Sequence, residues 1–223
     1  MSIISTSSFT LRYFDFIGLG EASRILLTVA QADWTEENPE WPQEKENQPF
    51  GRLPVLVERS ANGETDFVLT ESPAIERYIG RLSGLLPADP KQAARQEQLR
   101  EQQIDITTCF FVQLVKDVDM KKAATGKFDD LLCRMFKMHS EALRANGNNG
   151  HYFGSELSFI DVTSYAFIKL FVMYMQKYQD DIAAVFKSKI TPEFAKLVSV
   201  VESDPLMKAY VAKRKMLGPL IAQ

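Results

Sequence analysis

Residues 49–79 read PFGRLPVLVERSANGETDFVLTESPAIERYI. Within this stretch residues 53–58 read as a strand, Asn62-Gly63 as a tight hairpin turn and residues 67–70 as the return strand. Ser72-Pro73 then opens a helix. Serine is expected to cap the free amides, and proline at the first helical position lacks the amide that would be orphaned there anyway. Ile75, Tyr78, Ile79 and Leu82 recur at helical spacing and supply the apolar face.

Upstream, residues 9–14 (FTLRYF) read as a strand running into the turn Gly18-Leu19-Gly20. Residues 21–31 read as a helix, with Ala22, Ile25, Leu26 and Val29 on one face. The stretch between that helix and residue 53 reads as irregular. The order is strand, helix, irregular stretch, strand, hairpin, strand, helix: an α/β domain over residues 1–83.

Downstream, GLLPADP (84–90) reads as a linker, and after it strand signals nearly vanish. Residues 91–120 read as one long helix and 128–145 as another, closed by NGNNG (146–150), where Gly147 suits the left-handed cap. Ser158-Phe-Ile-Asp161 is a capping box with aspartate as its acid, opening a helix that runs to about Tyr178. Thr191-Pro192 caps a further helix and Pro205 starts the last. Residues 91–223 are therefore expected to form an all-helical domain.

The chain has 223 residues, 45% of them hydrophobic and 25% charged, with a formal net charge of -3. That is the balance of a soluble protein with a full core. A slightly acidic chain without a dense basic run is not built for nucleic acid, and Lys213-Arg214-Lys215 reads as a solvated helix end. The start has neither a basic n-region nor an apolar h-region, so a secretory signal is not expected. The most apolar stretch, residues 159–175, carries Asp161 and Lys169, which favours a core helix over a membrane span. Cys109 and Cys133 are the only cysteines. They form no CxxC and fit a reducing, cytoplasmic setting. His139 and His151 have no metal spacing, so no metal is expected.

YFDFIGLGEASRILL, FGRLPVL, TESPAIERYI and LSFIDVTSYAFI together resemble the cytosolic glutathione transferases of the tyrosine type. Trp41 and Lys45, nine and five residues before Phe50, look most like the sigma class. The resemblance covers nearly the whole chain after about residue 8. It implies a thioredoxin-like, glutathione-binding amino domain and a helical carboxy domain that contributes the electrophile pocket. It also implies a homodimer that takes glutathione as co-substrate and needs no other cofactor.

The resemblance places the catalytic tyrosine at Tyr13. A free thiol with a pKa near 8.5 is only about 3% ionised at pH 7. A phenol that donates a hydrogen bond to sulfur stabilises the thiolate selectively. Lowering that pKa by about two units needs roughly 2.7 kcal/mol, and a charge-assisted hydrogen bond supplies a large part of it. Several tyrosine-type classes carry an arginine six residues later, whose charge helps hold the thiolate. Here that residue is Leu19. The departure implies weaker sulfur activation or a different wall to the electrophile pocket, for which Phe14, Gly18 and Leu19 are the candidate residues.

The other candidates follow the same resemblance. Pro54 matches the family's cis-proline and would expose the backbone of Leu53 to the cysteinyl part of glutathione, as an added strand pairs with a sheet edge. Arg52 would meet the tripeptide backbone or solvent. Ser72, at a helix start, would take the γ-glutamyl carboxylate, and Glu71 the α-ammonium. Trp41 and Lys45 would meet the glycyl carboxylate. Some relatives bring an acid from the partner subunit to the ammonium. By offset that place falls at Cys109, with Asp105 one turn earlier. Asp161 reads as structural.

The leading expectation is a detoxifying transferase that adds the thiolate to an electrophilic small molecule. A glutathione-dependent isomerase or peroxidase on lipid-derived substrates is the second. A non-catalytic ligand-binding or structural protein is the third, kept open by Leu19. A thiol-redox enzyme is disfavoured, because residues 1–108 contain no cysteine.

Overall fold

The computed structural model describes residues 7–60, 66–113, 118–177 and 181–213. Its amino-terminal segment builds a four-stranded sheet from β1 (Ser7–Arg12), β2 (Asp33–Glu37), β3 (Val55–Ser60) and β4 (Phe67–Thr70), in the order β2-β1-β3-β4. β1 runs parallel to β2 and antiparallel to β3, and β3 pairs antiparallel with β4. Phe9, Leu11, Leu56 and Val57 are buried, as are Ile25 and Leu26 of α1 (Glu21–Val29) and Ile75 and Ile79 of α2 (Ser72–Ser83). The turn at Asn62-Gly63 lies outside the described residues.

Two sequence expectations need correction here. The stretch read as irregular contains β2, whose sequence DWTEE is exposed at every position but Trp34. An edge strand satisfies its backbone on one side only and carries charge on its open face, so it shows no alternating apolar pattern. Ser72 does not cap α2. The capping position is Glu71, with φ 69° and ψ 111°, and Ser72 is the first helical residue. Of the long helix expected over residues 91–120, α3 covers Pro90–Gln113 and Met120 belongs to α4 (Val118–Ala145); residues 114–117 lie outside the described residues.

The remaining helices are α5 (Phe159–Lys177), α6 (Asp181–Lys189), α7 (Pro192–Ser203) and α8 (Pro205–Lys213). The sequence reading passed over α6. Thr191 caps α7 by accepting from the Phe194 amide, and Gly147 ends α4 at φ 75°. Asp161 closes the capping box: its carboxylate accepts from the Ser158 amide at 2.9 Å and the Ser158 hydroxyl at 2.8 Å. Lys169, the other charge in this apolar segment, is buried and paired with Glu202. Among the described residues no helix is long and apolar enough to cross a membrane.

The chain divides into two compact units. One runs through Pro90 and takes in α8, which packs on α1; the other comprises residues 91–204. The core of the second is rich in aromatic contacts, with Phe171 stacked on Phe186 at 4.6 Å and Phe136 edge-on to Phe194 at 4.7 Å.

Candidate active site

Strand register gathers the candidates of the first unit. Arg12 lies opposite Val55, and Val55 opposite Thr70. One residue further in the same direction along each strand come Tyr13, Pro54 and Glu71. Three segments distant in sequence thus end together at one edge of the sheet. The Leu53–Pro54 bond is cis, as is Trp41–Pro42.

Tyr13 is 5% exposed. Its amide donates to the Glu37 carbonyl at 3.0 Å, which continues the β1–β2 pairing. Its hydroxyl accepts from the Leu19 amide at 2.8 Å. The glycines of the Gly18-Leu19-Gly20 turn make this possible. A Cβ on Gly18 would lie 2.5 Å from the hydroxyl, and one on Gly20 2.6 Å from two ring carbons. Burial pushes the phenol's pKa up, opposed by the Leu19 amide, the Arg24 charge and the Gly20 amide. The group is therefore a protonated donor at neutral pH, with one oxygen lone pair already engaged and its own hydrogen still to give.

Around Tyr13 lies an aromatic cluster. Its ring centroid is 5.5 Å from Phe14 and 5.8 Å from Phe16. Phe14 stacks on Phe16 at 5.4 Å and meets Trp41 edge-on at 5.5 Å. Phe16 is 52% exposed. Sequence reading overlooked it, although its spacing from Tyr13 put it in the same turn. Lys45 opens a short 3-10 turn and runs its stem past Gly51. Arg52 reaches Glu71, with Nη1 3.9 Å from Oε1 and both side chains largely exposed.

Arg24 was also overlooked. It sits on α1 with a fully buried side chain. Nη2 donates to the Phe14 carbonyl at 2.7 Å and Nη1 to the Phe16 carbonyl at 3.0 Å. Nη1 also meets Glu21 Oε2 at 3.1 Å, and Nε meets Glu36 Oε1 at 2.5 Å. The signal was an acid and a base three residues apart on a helix otherwise lined with apolar residues.

An α/β unit whose strand ends gather a donor phenol and a helix start, joined in sequence to a helical unit, defines a two-domain architecture. The chain belongs to the glutathione S-transferase family: residues 9–81 match the model of the glutathione S-transferase amino-terminal domain and 89–214 that of the carboxy-terminal domain. It is 27% identical over 217 residues to the probable glutathione S-transferase 6 of Caenorhabditis elegans, covering 92% of this chain and 96% of that one. With glutathione S-transferase 1 of Ascaris suum it shares 34% identity over 111 residues, 47% of this chain and 51% of that one. The fold is that of the Fasciola hepatica sigma class transferase, with a TM-score of 0.75 over 96% of this chain and 100% of that one, at 22% identity.

Proposed function

We propose that this protein adds the thiolate of glutathione to electrophilic carbon centres of small molecules, with Tyr13 as the catalytic residue. The observation that carries this reading is the Tyr13 hydroxyl, buried, protonated and bonded to the Leu19 amide. In the proposed step the thiol proton leaves to solvent and the phenol donates to the sulfur anion. The sulfur lone pair then forms the new carbon–sulfur bond as the leaving group departs with its electrons. Phe14, Gly18 and Leu19 would line the electrophile's path, with Phe16 adding aromatic surface.

Position supports the glutathione roles. The α2 start, with Ser72 first in the helix, favours the γ-glutamyl carboxylate, and Glu71 favours the ammonium. Arg52, within reach of Glu71, would share that zwitterion. Leu53 stands just ahead of β3, where an extended peptide would add to the sheet. Trp41 and Lys45 would receive the glycyl carboxylate. We read the assembly as a homodimer, because Phe50 is 77% exposed and held at φ 56°, an apolar ring kept outward on a conformation that non-glycine residues seldom adopt. Two free cysteines, one exposed, suit a cytoplasmic setting.

The test is binding to immobilised glutathione and conjugation of 1-chloro-2,4-dinitrobenzene. Tyr13→Phe is expected to lower kcat at least about tenfold with retained binding. Undiminished turnover removes Tyr13 from the mechanism, and binding without conjugation across an electrophile panel favours a ligand-binding protein. Phe50→Ser is expected to shift the sedimenting species from dimer to monomer.

A further inference from the structure

We infer that Arg24 is the positioning residue behind Tyr13, supplying from beneath the phenol the positive charge that Leu19 does not carry. The inference rests on the reading of Tyr13 as the donor to the thiolate. Arg24 Cζ lies 5.3 Å from the Tyr13 ring centroid, and the side chain is fully buried. At that distance and depth a charge is weakly screened by solvent. It draws electron density from the phenol, making it a stronger donor to an anion, and it attracts the anion directly.

The cation is held in place by the loop it serves. Its bonds to the Phe14 and Phe16 carbonyls bracket Asp15 and fix the turn that leaves Tyr13. The charged groups around it are Glu21 on α1 and Glu36 on β2. One oxygen of Glu21 accepts from Tyr210 of α8 at 2.7 Å, which engages part of that carboxylate's charge away from Arg24. At Tyr13 the attraction of Arg24 outweighs the repulsion of Glu21. A merely structural ion pair would stabilise α1 equally well without a place under the ring.

The experiment is a pH titration of the thiolate absorbance of bound glutathione, alongside the pH profile of kcat. Arg24→Met is expected to raise the bound thiol's pKa by about one unit, the low end for loss of an opposite charge, because the sulfur lies beyond the phenol. The KM for glutathione should stay within about twofold, since the tripeptide's termini are held elsewhere. Adding Leu19→Arg to Arg24→Met is expected to bring the pKa back at least about halfway. Arg24→Lys should shift it less than Arg24→Met. If Arg24→Met does not fold, Glu36→Gln decides: removing that carboxylate unmasks the cation and should lower the thiol's pKa. A thiol pKa unmoved in the arginine variants, or unmoved or raised in Glu36→Gln, overturns the inference. Tyr13→Phe runs in parallel. A shift there with none in the arginine variants removes this inference alone; no shift in Tyr13→Phe removes the Tyr13 reading and this inference with it.

Discussion

The Tyr210 hydroxyl donates to Glu21 Oε1 at 2.7 Å, joining residues 189 positions apart in sequence. Glu21 is fully buried and its other oxygen meets Arg24. A buried carboxylate with one partner removed keeps its desolvation cost without the compensation. Tyr210→Phe is therefore expected to destabilise the first unit by about 1.5–3 kcal/mol. Urea unfolding followed by fluorescence measures it, and a change below about 0.5 kcal/mol would show that α8 docks by apolar contact alone.

Gly20→Ala places a Cβ 2.6 Å from two carbons of the buried Tyr13 ring, which cannot swing away as a flexible chain end can. The expected cost is about 1–3 kcal/mol, although alanine is the better helix former. Gly18→Ala meets the hydroxyl at 2.5 Å. It should lower kcat about tenfold or more, as displaced catalytic hydrogen bonds do. Unchanged conjugation in Gly18→Ala would mean that the hydroxyl's placement is not used.

Glu71 holds φ 69° without glycine's freedom. Strain at a functional position is kept for what the side chain or backbone does there. Glu71→Gly is expected to leave stability unchanged or raise it by up to about 1 kcal/mol, because strain relief offsets the added chain entropy. It should also raise the KM for glutathione about tenfold, through loss of the carboxylate proposed to meet the ammonium. Thermal denaturation and initial rates test both halves. Lower stability with unchanged KM would contradict the strain argument.

His139 is fully buried in the helical unit and its Nδ1 accepts from Tyr152 at 2.6 Å, while Ser164 donates to Tyr152. Its Nε2 is buried without a hydrogen-bond partner among the described residues. Burial lowers its pKa from 6.5 to about 3. The unfolded chain takes the proton first, so this contribution to stability is whole above pH 6.5 and is lost as pH falls toward 3. The slope is about 1.4 kcal/mol per pH unit. His151 acts in the opposite sense: its hydrogen bond to Asp161 raises its pKa, and its contribution fades as pH rises through the folded value. The difference in unfolding free energy between the native protein and His139→Gln should shrink steadily from pH 6.5 to 4 as about one such slope predicts. A difference independent of pH would refute the neutral assignment.

Residues 49–79 carried the α/β reading because hairpin and helix are both local: the apolar alternation, the turn and Pro73 act on their own neighbours. The same holds for Thr191, Gly147 and the Ser158–Asp161 box, each a side chain or backbone serving amides a few positions away. Trp34 in DWTEE could not announce β2, because an exposed edge strand is specified by its neighbour β1 and not by its own pattern.

The sequence by itself determined the order of elements apart from β2 and α6, the family resemblance and the candidates Tyr13, Pro54, Glu71 and Ser72. Only the tertiary structure showed that the Leu19 contribution at Tyr13 is its amide, that Arg24 lies under the phenol, and that α8 belongs with the first unit through Tyr210 and Glu21. The physical reason is range. Capping, turns and periodicity act over a few residues and leave a mark in the order of amino acids. A buried charge takes its meaning from what the folded chain brings within about 5 Å of it.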